Sequence, residues 1–257
     1  MPSYKTEALV LRTAAMGESD RRVDLLSPEL GAVRVVARGA RKVPSRLGGV
    51  LQPFARVRLL LWRGRTLDGV SQAETIRSFH ELRERLEAFA FASAAAEAAL
   101  ALARPDGEAP RRYRLLLYTF ERLAGGGPGE PALAYYLAQL LRIEGFAPDW
   151  STCARCGRPI GGERRLAVAE GGVLCADCGL RSGEGEPLPE AVAHLAEALA
   201  RLGPRGAEAL GPDPALAMAA ARALARLLAA AVDRSMKSLE LLDIIRHDAE
   251  GSANHGG

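Results

Sequence analysis

The stretch ARVRLLLW, residues 55–62, alternates Val57, Leu59 and Leu61 with Arg56, Arg58 and Leu60. Apolar side chains at every second position put one face of a strand into a core and turn the other outward. On either side of it, YKTEALVLRT (4–13) and GAVRVVAR (31–38) are rich in β-branched residues. Gly17, Ser27-Pro28, Gly31, Gly48-Gly49 and Gly64 punctuate the run. The pattern predicts five strands, at about 4–13, 20–27, 32–38, 54–62 and 66–77. Five short strands in about 75 residues suit a small closed barrel, an OB-fold first and an SH3-like barrel as its main competitor. Aromatic residues are sparse here (Tyr4, Phe54 and Trp62), and the alternation assigns Phe54 and Trp62 to the core.

From Phe79 the hydrophobic period becomes helical. Residues 79–103 carry Leu82, Leu86, Phe89, Ala90 and Ser93 on one face, and Pro110 and Pro131 sit near the starts of helices predicted at 110–123 and 131–145. Further helices are predicted at 187–202, 213–232 and 238–247, the last with Ser238 as N-cap. The tail 248–257 lacks apolar anchors and is expected to be disordered. The expected organisation is α+β: a barrel over 1–78, then an all-α domain over 79–247, interrupted by a cysteine-bearing insert at about 150–184.

That insert holds the only four cysteines, in CARCG (Cys153–Gly157) and CADCG (Cys175–Gly179), a C-x2-C-x18-C-x2-C arrangement. Two-residue gaps let one tight turn aim two sulfurs at one point, so Cys153, Cys156, Cys175 and Cys178 read as a closed four-thiolate site for one structural zinc ion. Gly157 and Gly179 follow each pair, where a positive φ would let the chain curl toward the sulfurs. RRLAVAE and VLC around Gly171-Gly172 read as a small hairpin, as in zinc ribbons. A redox dithiol does not call for two matched copies. Paired disulfides need an oxidising compartment, whereas the opening MPSYKTEALVLRT shows no apolar signal core. Arg155, Arg158, Arg164 and Arg165 lie close by and either offset the thiolate charge or form a basic surface.

Charge is divided unevenly. Residues 1–78 hold 14 Lys+Arg against 7 Asp+Glu, a net of +7, which leaves −4 for residues 79–257 of a chain whose total is +3. No acidic residue occurs from Gly31 through Leu67. The loop Gly39–Pro53, with Arg41, Lys42 and Arg46, and Arg38 just before it, therefore reads as a flexible electrostatic clamp for a phosphate backbone. The chain lacks a G-x4-G-K-[ST] loop, a G-x-S-x-G elbow and any His-x-Glu before Pro-Cys-x-x-Cys, and its four histidines are scattered. The expectation is a binding protein and not an enzyme.

The elements EALVLR, GESDR, the GAVRVVARGARK run and the SRLGGVLQPF loop within Tyr4–Phe54, with DRSMKSLELL (Asp233–Leu242) near the end, resemble the RecO family of bacterial recombination mediators. The resemblance extends over about residues 1–247. It implies an OB-fold that binds single- and double-stranded DNA, a helical domain and a zinc-ribbon-like insert. It also implies annealing of complementary strands coated by single-strand-binding protein, contacts with RecR and with the acidic C-terminal tail of that coat protein, assistance in loading RecA, and action in the cytoplasm at the nucleoid. On that reading Arg21, Arg22, Arg34, Arg38, Arg41, Lys42 and Arg46 grip phosphates. Arg111, Arg112, Arg114 and Arg122 are candidates for the rim of a groove for the acidic tail, or simply a solvated helix face. The competing readings are a zinc-ribbon RNA-binding accessory protein and a zinc-stapled docking scaffold.

Overall fold

Strands β1 (Ser3–Met16), β2 (Asp20–Ser27), β3 (Gly31–Ala37), β4 (Arg56–Trp62) and β5 (Asp68–Arg77) close into a barrel of order β1-β2-β3-β5-β4, with β4 returning to β1. All pairings are antiparallel except β3 with β5. This is the OB-type arrangement. The computed structural model describes residues 2–102, 106–238 and 242. The expected closing helix at 238–247, apart from Ser238 and Leu242, and the tail at 248–257 lie outside the described residues.

Alternate residues fill the barrel: Ala8 and Val10 from β1, Val23 and Leu25 from β2, Val35 and Ala37 from β3, Val57, Leu59 and Leu61 from β4, and Val70 and Ala73 from β5, where a bulge between them shifts the alternation. Strand β1 is long enough to serve two neighbours. It pairs with β4 through Leu9 and with β2 from Leu9 to Met16, and the register shifts between Val10 and Arg12. Such a bulge bends a strand and strengthens its twist, which is how a small sheet closes on itself.

The segment between β3 and β4 is not a flexible loop. Asp20 Oδ1 accepts the Gly39 N–H at 2.9 Å, and the Arg41 N–H donates to the Ser19 carbonyl at 2.9 Å. Arg41 also donates from its side chain to the Gly17 carbonyl at 2.7 Å. A short helix, α1 (Arg46–Val50), follows, with Ser45 Oγ capping the Gly48 N–H at 3.1 Å. Gly48 lies against the Ala40 carbonyl so closely that a Cβ would stand 2.3 Å from the oxygen. Phe54 then takes a left-handed backbone (φ 71), at a cost of about 1–2 kcal/mol for a non-glycine residue. Its buried ring meets Phe89 and Phe120 edge-on, each at 5.4 Å between centroids, and burial of that ring offsets the strain.

Helices α2 (Glu81–Glu84), α3 (Leu86–Leu102) and α4 (Ala109–Ala124) follow. The single helix expected over 79–103 is two, because Arg85 is extended (φ −111, ψ 118) and breaks the run. Helices α3 and α4 pack on β1 and β2, so the barrel and these helices form one compact unit, Met1–Gly127.

Pro128–Glu240 forms the second unit. It contains α5 (Gly129–Ile143), β6 (Arg164–Ala167), a 3-10 turn at Val168–Glu170, β7 (Gly172–Cys175), α6 (Ala176–Ser182), β8 (Glu186–Leu188), α7 (Glu190–Arg201), α8 (Pro204–Leu210) and α9 (Pro214–Val232). The expected hairpin is a three-stranded sheet of order β7-β6-β8, since Pro187 and Leu188, read as the start of a helix, extend it. Helices α1, α6 and α8 have no counterpart in the sequence reading. Helix α9 is long and apolar enough to span a bilayer by composition, but it packs on α5 and α7, and its Arg226 pairs with Glu186. It is a core helix of this unit. Gln139, buried on α5, donates to the carbonyls of Leu199 and Leu202 at 2.7 and 2.9 Å and so satisfies the end of α7.

On the outer face of the barrel Asp24, 2 % exposed, accepts from Arg34 Nε at 2.7 Å and from Arg12 Nε at 3.1 Å. Burial pushes its carboxyl pKa up, but the two guanidinium hydrogen bonds outweigh this and hold it below the ordinary carboxylate range. A depressed folded pKa contributes stability above the unfolded value of about 3.9 and loses it as pH falls through the folded one. Asp24→Asn is expected to lower unfolding free energy by about 1.5–3 kcal/mol at pH 7, and this deficit should begin to shrink as pH falls below about 4 and vanish below the depressed folded pKa. Urea unfolding of both proteins across that range checks it; a deficit constant with pH would contradict the assignment.

Candidate nucleic-acid interface and metal centre

Six of the seven cations proposed from sequence lie where β2 begins or in the segment that follows β3, and Arg34 lies mid-strand opposite Asp24. Register sets Arg21 opposite Ala37 and Arg22 opposite Val36, and Arg38, Arg41, Lys42 and Arg46 follow directly. Contacts knit them together: Arg21 reaches the Gly48 carbonyl at 3.5 Å, and Arg41 holds the β1–β2 turn. They are not equivalent. The barrel's ion pairs among the described residues are Arg12 and Arg34 with Asp24, Arg56 with Glu7, and Arg58 with Glu74. Arg34 therefore shares a buried carboxylate, whereas Arg21, Arg22, Arg38, Arg41, Lys42 and Arg46 have no carboxylate in ion-pair reach among the described residues.

Asp20 lies beside this cluster, and its carboxylate is occupied by the loop. The Gly39 N–H first, and then the Ser19 hydroxyl, Arg38 and Lys42, hold its pKa below the usual range. It orders the cations without neutralising any of them through a short ion pair. Three residues that the list of candidates lacks extend the surface. Trp62 is partly exposed, with the Arg38 guanidinium 5.2 Å above its ring, so it is not the core residue that alternation suggested. Arg63 lies 4.8 Å over Tyr4, and Arg65 is exposed in the β4–β5 turn. The signal for both arginines was the acid-free run from Gly31 to Leu67. Beside α1, a cavity of about 530 Å³ is lined by Lys5, Arg46, Leu47, Gln72 and the paired Arg58 and Glu74.

In the second unit the sulfurs of Cys153, Cys156, Cys175 and Cys178 all lie within 4.8 Å of one another. A tetrahedral ion with sulfurs at about 2.3 Å needs them about 3.8 Å apart, so one ion can touch all four with small adjustments. The two pentapeptides reach this geometry differently. In the first, Gly157 takes φ 70 and donates its N–H to the Cys153 carbonyl at 2.9 Å. In the second, Cys175 ends β7 and Cys178 sits in the first turn of α6. Gly179 is helical there, and its positive φ, expected by analogy, does not occur. Its role is space: a Cβ would stand 2.3 Å from Arg165 Cδ.

Crowding splits the thiols. Burial raises the Cys153 pKa, but the N–H groups of Cys156, Cys175 and Arg155 prevail and bring it down to about 6. Contact with Cys175 first, then burial and the other sulfurs, push Cys178 up to about 12. A cation at the centre removes the reason for this split. Of the four nearby arginines Arg158 turns its side chain to a thiolate: its backbone N–H and its side chain both bond Cys156 and lower its pKa. Arg155 bridges Glu170 and Glu184, Arg164 is buried and donates to the Trp150 carbonyl, and Arg165 donates to the Gly185 carbonyl. These three lace the insert together and do not offer a phosphate-binding surface. In the first unit Arg112 is buried in a bidentate pair with Asp106, at 2.7 and 2.9 Å, and Arg111 pairs with Glu108.

The chain thus combines a closed OB-type barrel that has a cationic end with a helical unit that has a four-sulfur centre. Comparison with known families identifies the combination. The chain matches the family models "Recombination protein O N terminal" over residues 1–79 and "Recombination protein O C terminal" over residues 83–240. It is 40 % identical over 195 residues to the DNA repair protein RecO of Desulforudis audaxviator, covering 76 % of this chain and 78 % of the relative. It is 40 % identical over 202 residues to that of Cutibacterium acnes, covering 76 % and 81 %. With that of Symbiobacterium thermophilum it shares 35 % identity over 254 residues, 96 % of this chain and 99 % of the relative. The chain belongs to the RecO family.

Proposed function

We propose that this chain is a DNA repair and recombination mediator that binds single- and double-stranded DNA at the cationic end of its barrel. The observation that carries the reading is the set of six cations, Arg21, Arg22, Arg38, Arg41, Lys42 and Arg46, that have no carboxylate partner among the described residues. Unpaired, ordered cations gain most from displacing the counterions condensed on a polyanion. Such binding reads the backbone and leaves base edges free. A protein that holds two strands in this way lets them pair, which is what annealing requires. Family membership supports the remaining steps: action in the cytoplasm on strands coated by single-strand-binding protein, contact with its acidic tail and with RecR, and help in loading RecA. No catalytic role is assigned to any residue.

The four sulfurs would hold one Zn²⁺, which prefers four thiolates in a tetrahedron and leaves no open position for water. Zinc there supplies cross-linking between the Cys153–Gly157 knuckle and the β7–α6 junction, and Arg158 offsets part of the negative charge of the site. It stabilises the insert and does no chemistry.

Two measurements test this. In the first, complementary oligonucleotides coated with single-strand-binding protein are mixed, and pairing is followed by fluorescence. The wild-type chain should anneal them, and a folded variant with Arg38, Arg41, Lys42 and Arg46 all replaced by Glu should lose at least tenfold in rate. A wild-type chain that anneals no DNA, or binds only RNA, overturns the reading. In the second, purified protein should hold one zinc per chain, and Cys153→Ser should lose the metal and melt at lower temperature. A variant that keeps both its zinc and its melting temperature would refute the ligand assignment.

A further inference from the structure

We infer that Trp62 is a stacking platform for one unpaired nucleobase, which takes the place of the Arg38 guanidinium on the exposed part of the indole. The inference rests on the DNA-binding reading above and adds to it a means of telling single strands from duplex.

The position of Trp62 is set by the sheet. Val57, Leu59 and Leu61 point into the barrel, so Trp62, one residue further on, points out. Register places it at the end of a row that crosses the barrel's outer face: Ala14, Arg22, Val36, Gly69, Trp62. Gly69 is the floor on which the indole rests. A Cβ at that position would stand 2.1–2.3 Å from Cε2, Cζ2 and Nε1 of the ring, so glycine is the one residue that lets the ring lie down on the sheet. The platform is therefore ordered before any ligand arrives.

Its cover is exchangeable. Arg38 stands over the ring at 5.2 Å, and no carboxylate holds it there among the described residues. The contrast with Tyr4 is informative. Tyr4 also carries an arginine on its ring, Arg63, but its hydroxyl is bound to Asp68, which fixes it as part of the structure. Trp62 has no such tie. Arg22, in the same row, has no carboxylate in ion-pair reach among the described residues, which leaves its charge for a phosphate. An aromatic face flanked by uncommitted guanidinium groups matches a nucleotide: base on the ring, phosphate on the arginines. A base within a duplex is stacked on both sides and gains nothing from the ring. A stacked base also keeps its pairing edge free, so the contact is compatible with annealing.

The chain has two tryptophans, and Trp150 is buried at 3 % exposure, so Trp62 can be read by fluorescence. Oligo-dT added to the wild-type chain, and to a Trp150→Phe variant in which Trp62 is alone, should quench emission, and an equal amount of duplex should not. At fixed salt Trp62→Ala should lose about 5- to 150-fold in affinity for oligo-dT, with duplex affinity unchanged and Trp62→Phe keeping most of it. Should Trp62→Ala fail to fold, photocrosslinking of a bromodeoxyuridine oligonucleotide to the wild-type chain decides, with the adduct expected on Trp62. Equal losses for single strand and duplex, binding without quenching, or an adduct only elsewhere would overturn the platform while leaving DNA binding intact. A folded chain that binds neither nucleic acid overturns both.

Discussion

The bend in β1 between Val10 and Arg12 is the constraint on which the first unit depends. The strand pairs with β4 through Leu9 and with β2 from Leu9 onward, across the bend, so one strand closes the barrel. Phe54 is fixed to the bend, its N–H donating to the Val10 carbonyl at 2.8 Å, and its ring locks the end of the basic segment among Phe89 and Phe120. Closure decides the parity of every later strand. The aliphatic residues go in, and the arginines and Trp62 are left on the outside, where a ligand can reach them.

Two aspartates then sort the cations. Asp24 lies under Arg12 and Arg34 and spends its charge on them, which stabilises the β1-β2-β3 surface. Asp20 instead accepts from the backbone of Gly39 and positions the cations beyond it while leaving their charge available. A carboxylate that accepts from main-chain N–H groups can order a loop without cancelling the side chains on it. This division gives the barrel end an ordered field of positive charge, and ordering in advance lowers the entropic cost of binding. In the second unit a similar economy appears around the sulfurs. Of the four nearby arginines Arg158 turns its side chain to a thiolate, and the others hold the strands and turns that bring the two knuckles together.

Much of this was legible in the sequence. The alternation at Val57, Leu59 and Leu61 gave the barrel its strands, and the two C-x-x-C pairs gave the cluster. What was not legible depends on pairing between distant residues. Nothing local in GARKVPSRLGGVLQP distinguishes a pinned segment with a helical turn from a loop, because its order comes from Asp20 and Ser19 on another strand. The pairing of Arg34 with Asp24, which separates it from the other cations, follows only from register. Trp62 looked like core because the glycine that makes room for it on the outer face lies across the sheet at position 69. The change of period at Phe79 marks where strands give way to helices. It does not mark the end of a compact unit, since α3 and α4 pack back on β1 and β2. Gly157 and Gly179 occupy matching places in their pentapeptides, yet one serves a positive φ and the other makes space for Arg165.

The central claim is that binding is driven by the six cations at the barrel end that have no carboxylate partner among the described residues. Its most direct test is the salt dependence of affinity for a dT oligonucleotide. At about 0.7 per phosphate neutralised on a single strand, log K should fall against log salt with a slope of about −4, and replacing Arg38, Arg41 and Lys42 by Ala should reduce this to about −2. A slope near zero, or one that the triple replacement leaves unchanged, would contradict the account.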